Sequence, residues 1–113
     1  MKKTKTIVLA YSGGLDTSFC IPFLREQGAR IVTVTVDTGG FTKPQLRTLA
    51  LRARKLGAER HYAIDALKEV WDRYLTMIIK GHCLRGGVYP LCVSAERTAQ
   101  AEAAVRIARR EKA

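Results

Sequence analysis

Two hydrophobic periods alternate along this chain and divide it into strands and helices. Apolar, largely β-branched runs, which are typical of buried parallel strands, lie at 6–11, 30–36 and 60–64. Segments with apolar residues three or four positions apart, which predict helices, lie at 16–27, 44–56, 66–80 and 95–113. Gly28 and Gly57 follow the first two of these helices and are typical helix-ending residues.

The second half of the chain has a less regular pattern. The helix predicted over 66–80 has an inner face formed by Val70, Trp71, Tyr74, Leu75 and Ile78. Residues 81–94 have no clear period, and we expect a loop there, with Ser94 as a possible cap of the last helix.

Strand and helix alternate three times, which predicts an α/β fold: an open parallel sheet with flanking helices, in a single domain over 1–113. The first strand is too apolar for an exposed edge, yet no later strand follows that could cover it. We therefore expect an incomplete sheet, in a chain that is a truncated portion of a longer protein or that completes its sheet by association.

Composition narrows the functional classes. The net charge of +10 favours polyanionic ligands, but the basic residues are dispersed and lack interleaved aromatic residues, so solvated helix faces are favoured over a nucleic-acid surface. No apolar run approaches the ~20 residues of a membrane span, and the apolar run at 7–11 is too short for a signal peptide, which predicts a cytoplasmic protein without membrane contact. The 3 cysteines lack metal or disulfide spacing, and His61 and His82 belong to no motif.

The segment from Ser12 to Ser18 carries the strongest chemical signal. It reads Ser-Gly-Gly-Leu-Asp-Thr-Ser and lies between a predicted strand and a predicted helix. Gly13 and Gly14 allow a sharp turn and a close approach to a ligand, and the first amides of the helix favour an anion. Neither the Walker spacing nor the Gly-x-Gly-x-x-Gly spacing is present. The segment predicts a phosphate-binding loop of another kind.

This loop resembles the pyrophosphate loop (PP-loop) of the ATP pyrophosphatases. With Ala10 and Tyr11 before it and Ile21-Pro22 behind it, it resembles most the argininosuccinate synthase family. The likeness continues at 55–58, 89–91, Ser94 and 107–109, so it covers essentially the whole chain. It implies a Rossmann-like sheet of the adenine nucleotide alpha hydrolase type.

The resemblance implies roles for individual residues. The ATP-binding positions of the family correspond to Ala10, Tyr11, Ser12, Gly13, Gly14, Leu15, Asp16, Thr17, Ser18 and Val36. Ser12 and Asp16 take the catalytic positions in the loop; Asp16 orients the loop, helps to hold Mg²⁺ or caps the helix, and no dedicated protein metal site is implied. Asp37 can reach the ribose or cap its own loop.

Tyr89 and Ser94 match the citrulline contacts of the family, although Tyr89 can equally be a packing aromatic residue. Arg97 can pair with a substrate carboxylate or remain solvated. Val93 stands where many members have threonine, and the second glycine-rich segment and the synthetase and oligomerisation domain of the family are missing from this sequence.

The implied activity is a ligase of arginine biosynthesis. Citrulline reacts with ATP, which carries Mg²⁺, to give citrullyl-AMP and pyrophosphate; aspartate then displaces AMP. The implied partners are citrulline, aspartate and, in the full-length form, further copies of the chain, whereas this chain alone is expected to be inactive. Two alternatives are another PP-loop ATP pyrophosphatase, such as a tRNA-modifying enzyme, and a non-catalytic truncated nucleotide-binding module.

Overall fold

The computed structural model describes residues 4–113 and contains a three-stranded parallel sheet with helices on both faces. In chain order the elements are β1 (Thr6–Ala10), α1 (Leu15–Glu26), β2 (Arg30–Asp37), α2 (Lys43–Leu56), β3 (Arg60–Asp65), α3 (Leu67–Val70), a π-helical turn (Trp71–Leu75), α4 (Thr76–Lys80), β4 (Leu84–Arg85), β5 (Tyr89–Pro90) and α5 (Cys92–Glu111). The predicted α/β fold is confirmed, and the three parallel strands and the first two helices begin and end within one residue of their predicted bounds.

β2 is the centre of the sheet because it pairs with β1 on one side and β3 on the other. Residues 31–36 are all buried, as expected for a parallel strand covered on both faces. Among the described residues β1 pairs with β2 alone, so its other edge has no neighbouring strand. The predicted incomplete sheet is thereby confirmed.

The alternation of side chains along β2 separates two cores. Ile31 packs with α1 and α2 on one face, together with Ile21, Leu49 and Ala53. Val32 and Val34 point to the opposite face, where α5 covers them. The buried residues of α5 recur every fourth position, which keeps one stripe of the helix on the sheet: Ala95, Ala99, Ala103 and Ile107.

α2 has strong signals at both ends. At its start, Thr42 and Gln45 form a capping box, and at its end Gly57 adopts φ 111°, a left-handed conformation that glycine enters without strain. These signals fix the position of α2, which carries Leu49 and Arg52 to the loop that follows β1.

The helix predicted over 66–80 differs from the structure. A π-helical turn interrupts it at Trp71–Leu75, and the added residue in that turn rotates the helix relative to a regular 3.6-residue period. Val70 is buried, but Trp71, predicted on the inner face, is 50% exposed. The prediction for Trp71 was therefore wrong.

The predicted loop over 81–94 was also wrong in part. β4 and β5 form a short antiparallel hairpin, and the turn between them contains Gly86 and Gly87, both with positive φ. α5 begins at Cys92, with Leu91 as its N-cap and no side-chain cap. Ser94 lies inside α5 and does not cap it. No helix within residues 4–113 combines the length and the apolarity of a membrane span.

Candidate functional site

The loop after β1 is anchored to β2 at its first residue. The amide of Tyr11 donates to the carbonyl of Val34 over 2.8 Å, and the carbonyl of Tyr11 accepts from the hydroxyl of Thr35 over 2.6 Å. Tyr11 is 2% exposed, so the chain leaves the sheet from a fixed position. This anchor sets the place where the following glycines turn.

Gly13 is required by both its conformation and its surroundings. Its φ is 79°, and a Cβ atom there would lie 2.2 Å from Cδ2 of Leu49 in α2. The Nη1 atom of Arg52, also in α2, donates to the carbonyl of Gly13 over 3.2 Å. The loop is therefore packed against α2 and carries a guanidinium beside its glycines.

The start of α1 leaves backbone donors open. Gly14 is the N-cap and α1 has no side-chain cap, while the first helical bond runs from the amide of Ser18 to the carbonyl of Gly14 over 3.1 Å. The amides of Leu15, Asp16 and Thr17 precede that bond and have no acceptor within the helix. Such a terminus favours a phosphate group.

The hydroxyl groups of the loop contact one another only weakly. Ser12 Oγ lies 3.4 Å from Thr17 Oγ1 and accepts from the amide of Gly14 over 3.3 Å. Ser18 Oγ lies 3.3 Å from the phenol oxygen of Tyr11. These long bonds orient the hydroxyls and are easily exchanged for a ligand.

Asp16 is exposed and is the second residue of α1. It is not the N-cap, so the capping alternative for Asp16 was wrong. Its charge in the first turn matches the positive end of the helix dipole.

A cavity of about 400 Å³ lies between the loop, the carboxyl end of β2 and α5. Its lining consists of Ala10, Tyr11, Ser12, Thr17, Val34, Thr35, Val36, Thr38, Gly40, Phe41, Glu96 and Gln100. Five of the predicted ATP-binding residues are among them, from the strand end, the loop and β2. A second opening of about 370 Å³ on the α2 side of the loop includes Ser12, Gly13 and Arg52.

The remaining predicted residues lie outside the first cavity. Leu15 is 86% exposed at the start of α1, and the predicted citrulline contacts, Tyr89 and Ser94, are exposed in β5 and the first turn of α5. Arg97 is exposed as well. The structure thus brings five of the ten predicted ATP-binding residues to this cavity, whereas the other five lie along the adjoining loop and the start of α1. Tyr89 and Ser94 are not among the lining residues.

Asp37 caps its own loop, which was one of the two alternatives. Its Oδ1 atom accepts from the amides of Gly39 and Phe41 over 2.9 and 3.4 Å. The acid that lines the cavity is Glu96, whose carboxylate accepts from the hydroxyl of Thr38. Sequence reasoning missed Thr38 and Glu96 because they lie 58 residues apart and neither belongs to a motif.

His61 lies behind the loop and supports it. Its Nδ1 atom is 2.9 Å from Thr33 Oγ1, its ring meets that of Tyr11 edge-on at 6.3 Å, and its buried Nε2 atom has no partner in the described part of the chain. Burial, and secondarily the charge of Arg54, lowers the pKa of His61. His61 therefore supports the strand and the loop through its contacts with Thr33 and Tyr11.

Within residues 4–113, no three His, Cys, Asp or Glu side chains are grouped so that they could hold a metal ion. Asp16 and the loop hydroxyls are oxygen donors of the kind that Mg²⁺ accepts, but they are too few for a cage made by protein alone. A magnesium ion at this loop would therefore need further oxygen ligands from a bound group.

Comparison with known proteins agrees with this geometry. Residues 6–113 match the family model of the arginosuccinate synthase N-terminal HUP domain. The argininosuccinate synthase of Hyperthermus butylicus is 46% identical over 107 residues, covering 95% of this chain and 26% of the relative. That of Sulfurisphaera tokodaii is 45% identical and covers 94% and 27%, and that of Xylella fastidiosa is 44% identical and covers 80% and 22%.

The chain therefore spans about a quarter of the length of these relatives. The loop after β1, the sheet that carries it, and the match over 6–113 all lead to one family. The chain belongs to the argininosuccinate synthase family and corresponds to its N-terminal HUP domain.

Proposed function

We propose that this chain binds ATP as the nucleotide-binding part of a ligase that joins citrulline to aspartate. The observation that carries the proposal is the cavity that links the loop after β1 to Val36 at the end of β2. The carboxyl ends of parallel strands are where open α/β sheets bind nucleotides. In this arrangement the phosphates lie on the loop and the base lies beside Val36.

The loop supplies donors for the phosphates. Amides at the start of α1 and the hydroxyls of Ser12, Thr17 and Ser18 hold the β- and γ-phosphates, and Arg52 adds a positive charge from α2. When the ureido oxygen of citrulline attacks the α-phosphorus, the bond to the β-phosphate breaks and negative charge grows on pyrophosphate. Donors already in place stabilise that charge, which is how the loop would accelerate adenylation.

The second step needs no covalent bond to the protein. The aspartate amine attacks the citrullyl carbon, AMP leaves, and argininosuccinate forms. Bound Mg²⁺ would neutralise phosphate charge, and Asp16 is the residue of the loop suited to face it.

Tyr89 and Ser94 remain the proposed citrulline contacts, on the strength of the family resemblance. A phenol and a hydroxyl suit the amino-acid end of citrulline. We also propose a cytoplasmic location and a homo-oligomeric longer form. Because the chain spans about a quarter of its relatives, we expect it alone to bind ATP weakly and to form no argininosuccinate.

A calorimetric titration with ATP and Mg²⁺ tests the nucleotide assignment. We expect pyrophosphate to compete with ATP. Asp16→Asn should weaken ATP binding by about fivefold, because it removes the charge that would face the phosphate-bound Mg²⁺, and such a charge-assisted contact contributes about 1 kcal/mol or more. Glu26→Gln is the matched control because Glu26 is the last residue of the same helix. Equal affinities of the wild type and Asp16→Asn, without pyrophosphate competition, would refute the loop assignment.

A further inference from the structure

A carboxylate faces the proposed nucleotide cavity from α5. Glu96 is half-buried and lines the cavity, one turn before Gln100. Its Oε1 atom accepts a hydrogen bond from the hydroxyl of Thr38, in the loop that follows β2. The side chain is therefore held at the carboxyl end of the central strand.

The acid nearest to this place in sequence is already engaged. Asp37 ends β2, where nucleotide-binding sheets often place the carboxylate that contacts a ribose. Its Oδ1 atom accepts from the amides of Gly39 and Phe41, and Asp37 is not among the residues that line the cavity. Glu96 is the acid that lines the cavity, and it does so from α5 and not from the sheet.

The chemistry of Glu96 restricts what it can bind. An ionised carboxylate only accepts hydrogen bonds, and Thr38 engages one of its two oxygens. Like charge excludes a phosphate as its partner, and the phosphate donors belong to a different element, the loop between β1 and α1. A pair of neighbouring hydroxyls, each with a proton to donate, matches the remaining acceptors.

We propose that Glu96, oriented by Thr38, accepts hydrogen bonds from the ribose hydroxyls of the nucleotide and makes the site selective for ribonucleotides. This inference rests on the proposed function, since it needs a nucleotide in the cavity. It assigns to Glu96 a specificity role that Asp37 does not take.

The test compares the Kd values of ATP, 2′-deoxy-ATP and 3′-deoxy-ATP, measured on the whole chain with Mg²⁺. We expect the wild type to prefer ATP to at least one deoxy analogue by about tenfold, because a hydrogen bond to a charged group contributes that much or more. Glu96→Ala should abolish this preference and Glu96→Gln should reduce it. Asp37→Asn and Glu102→Gln, the latter on α5 but paired with Arg73, should retain it.

A melting curve of each variant shows whether it is folded. If Glu96→Ala does not fold, the ribose preference is read from Glu96→Gln, which conserves the volume of the side chain. If the wild type binds no nucleotide, the proposed function fails and this inference fails with it. If ATP binds without a ribose preference, or if Glu96→Gln keeps the full preference while Asp37→Asn loses it, the role of Glu96 alone is refuted. The base is checked by the Kd of ITP, which carries hypoxanthine in place of adenine. If Glu96→Ala loses the preference for ATP over ITP and keeps the ribose preference, the ribose assignment is overturned.

Discussion

The polar groups at the two ends of the sheet differ in how fully they are hydrogen-bonded within the protein. At the amino ends of the strands, the side chain of Glu111 is 4% exposed. Its carboxylate accepts from the phenol of Tyr62 over 2.5 Å and from the guanidinium groups of Arg30 and Arg60, each over 3.1 Å. At the carboxyl ends, the hydroxyl contacts of the loop between β1 and α1 measure 3.3–3.4 Å, and α1 has no side-chain cap.

Buried polar groups that are satisfied within the protein stabilise the fold, whereas donors left open are available to a ligand. The polar groups at the amino end should therefore contribute mainly to stability, and those at the carboxyl end mainly to ligand binding. Substitutions at the two ends can test whether these roles are separate.

The largest effect is expected at Gly13, where both roles meet. Gly13→Ala places a methyl group against Leu49 at a positive φ, so we expect a loss of about 2–3 kcal/mol in the free energy of unfolding and at least a tenfold weaker Kd for ATP. Denaturant unfolding and calorimetry measure the two quantities.

Gly14→Ala is the matched control for stability. The added Cβ would approach only Ser12 Oγ, at 3.4 Å, and the φ of Gly14 is −71°. Its stability should stay close to that of the wild type. Equal unfolding free energies for the Gly13 and Gly14 variants would contradict the packing described for the loop.

An intermediate effect is expected at the opposite end. In Glu111→Gln, an amide NH₂ group replaces one carboxylate oxygen and faces the N–H donors of Arg30 or Arg60. We therefore expect a loss of about 1–3 kcal/mol in the free energy of unfolding and an unchanged Kd for ATP. Glu59→Gln is the control: Glu59 also pairs with Arg30, but its side chain is 54% exposed and should contribute less than ~1 kcal/mol. A weaker Kd in Glu111→Gln would show that the two ends are coupled.

The smallest effect is a pH dependence that arises from His61. Because its pKa is lowered by burial, the unfolded chain takes up the proton first as pH falls through about 6.5. Stability should thus decline as pH falls below that value and level off once pH is below the folded-state pKa. His61→Gln should remove this slope in unfolding titrations, and a slope that persists in the variant would assign it to another group.

Local signals explain which elements the sequence predicted well. Buried β-branched runs defined the strands, and Gly57 with the capping box of α2 defined that helix. The exposure of Trp71 depends on a π-helical turn, which cannot be recognised from the spacing of the apolar residues. The hairpin was missed because each of its strands has only two residues, although Gly86 and Gly87 signal a turn.

The same distinction holds within the site. The loop at 12–18 is contiguous in sequence, so its residue types and spacing could be recognised directly. The contact of Glu96 with Thr38 depends on how α5 packs on the sheet, and the pairing of Arg52 with Gly13 depends on α2. Contacts of this kind join distant segments, and no local pattern in one sequence contains them.

An NMR titration that follows individual backbone amides tests the central claim most directly. On addition of ATP and Mg²⁺, the largest chemical-shift changes should fall on the amides from Gly14 to Ser18, with small changes at Arg60, Tyr62 and Glu111. Changes concentrated at the amino ends of the strands, or a loop whose amides do not respond while ATP binds elsewhere, would contradict the account.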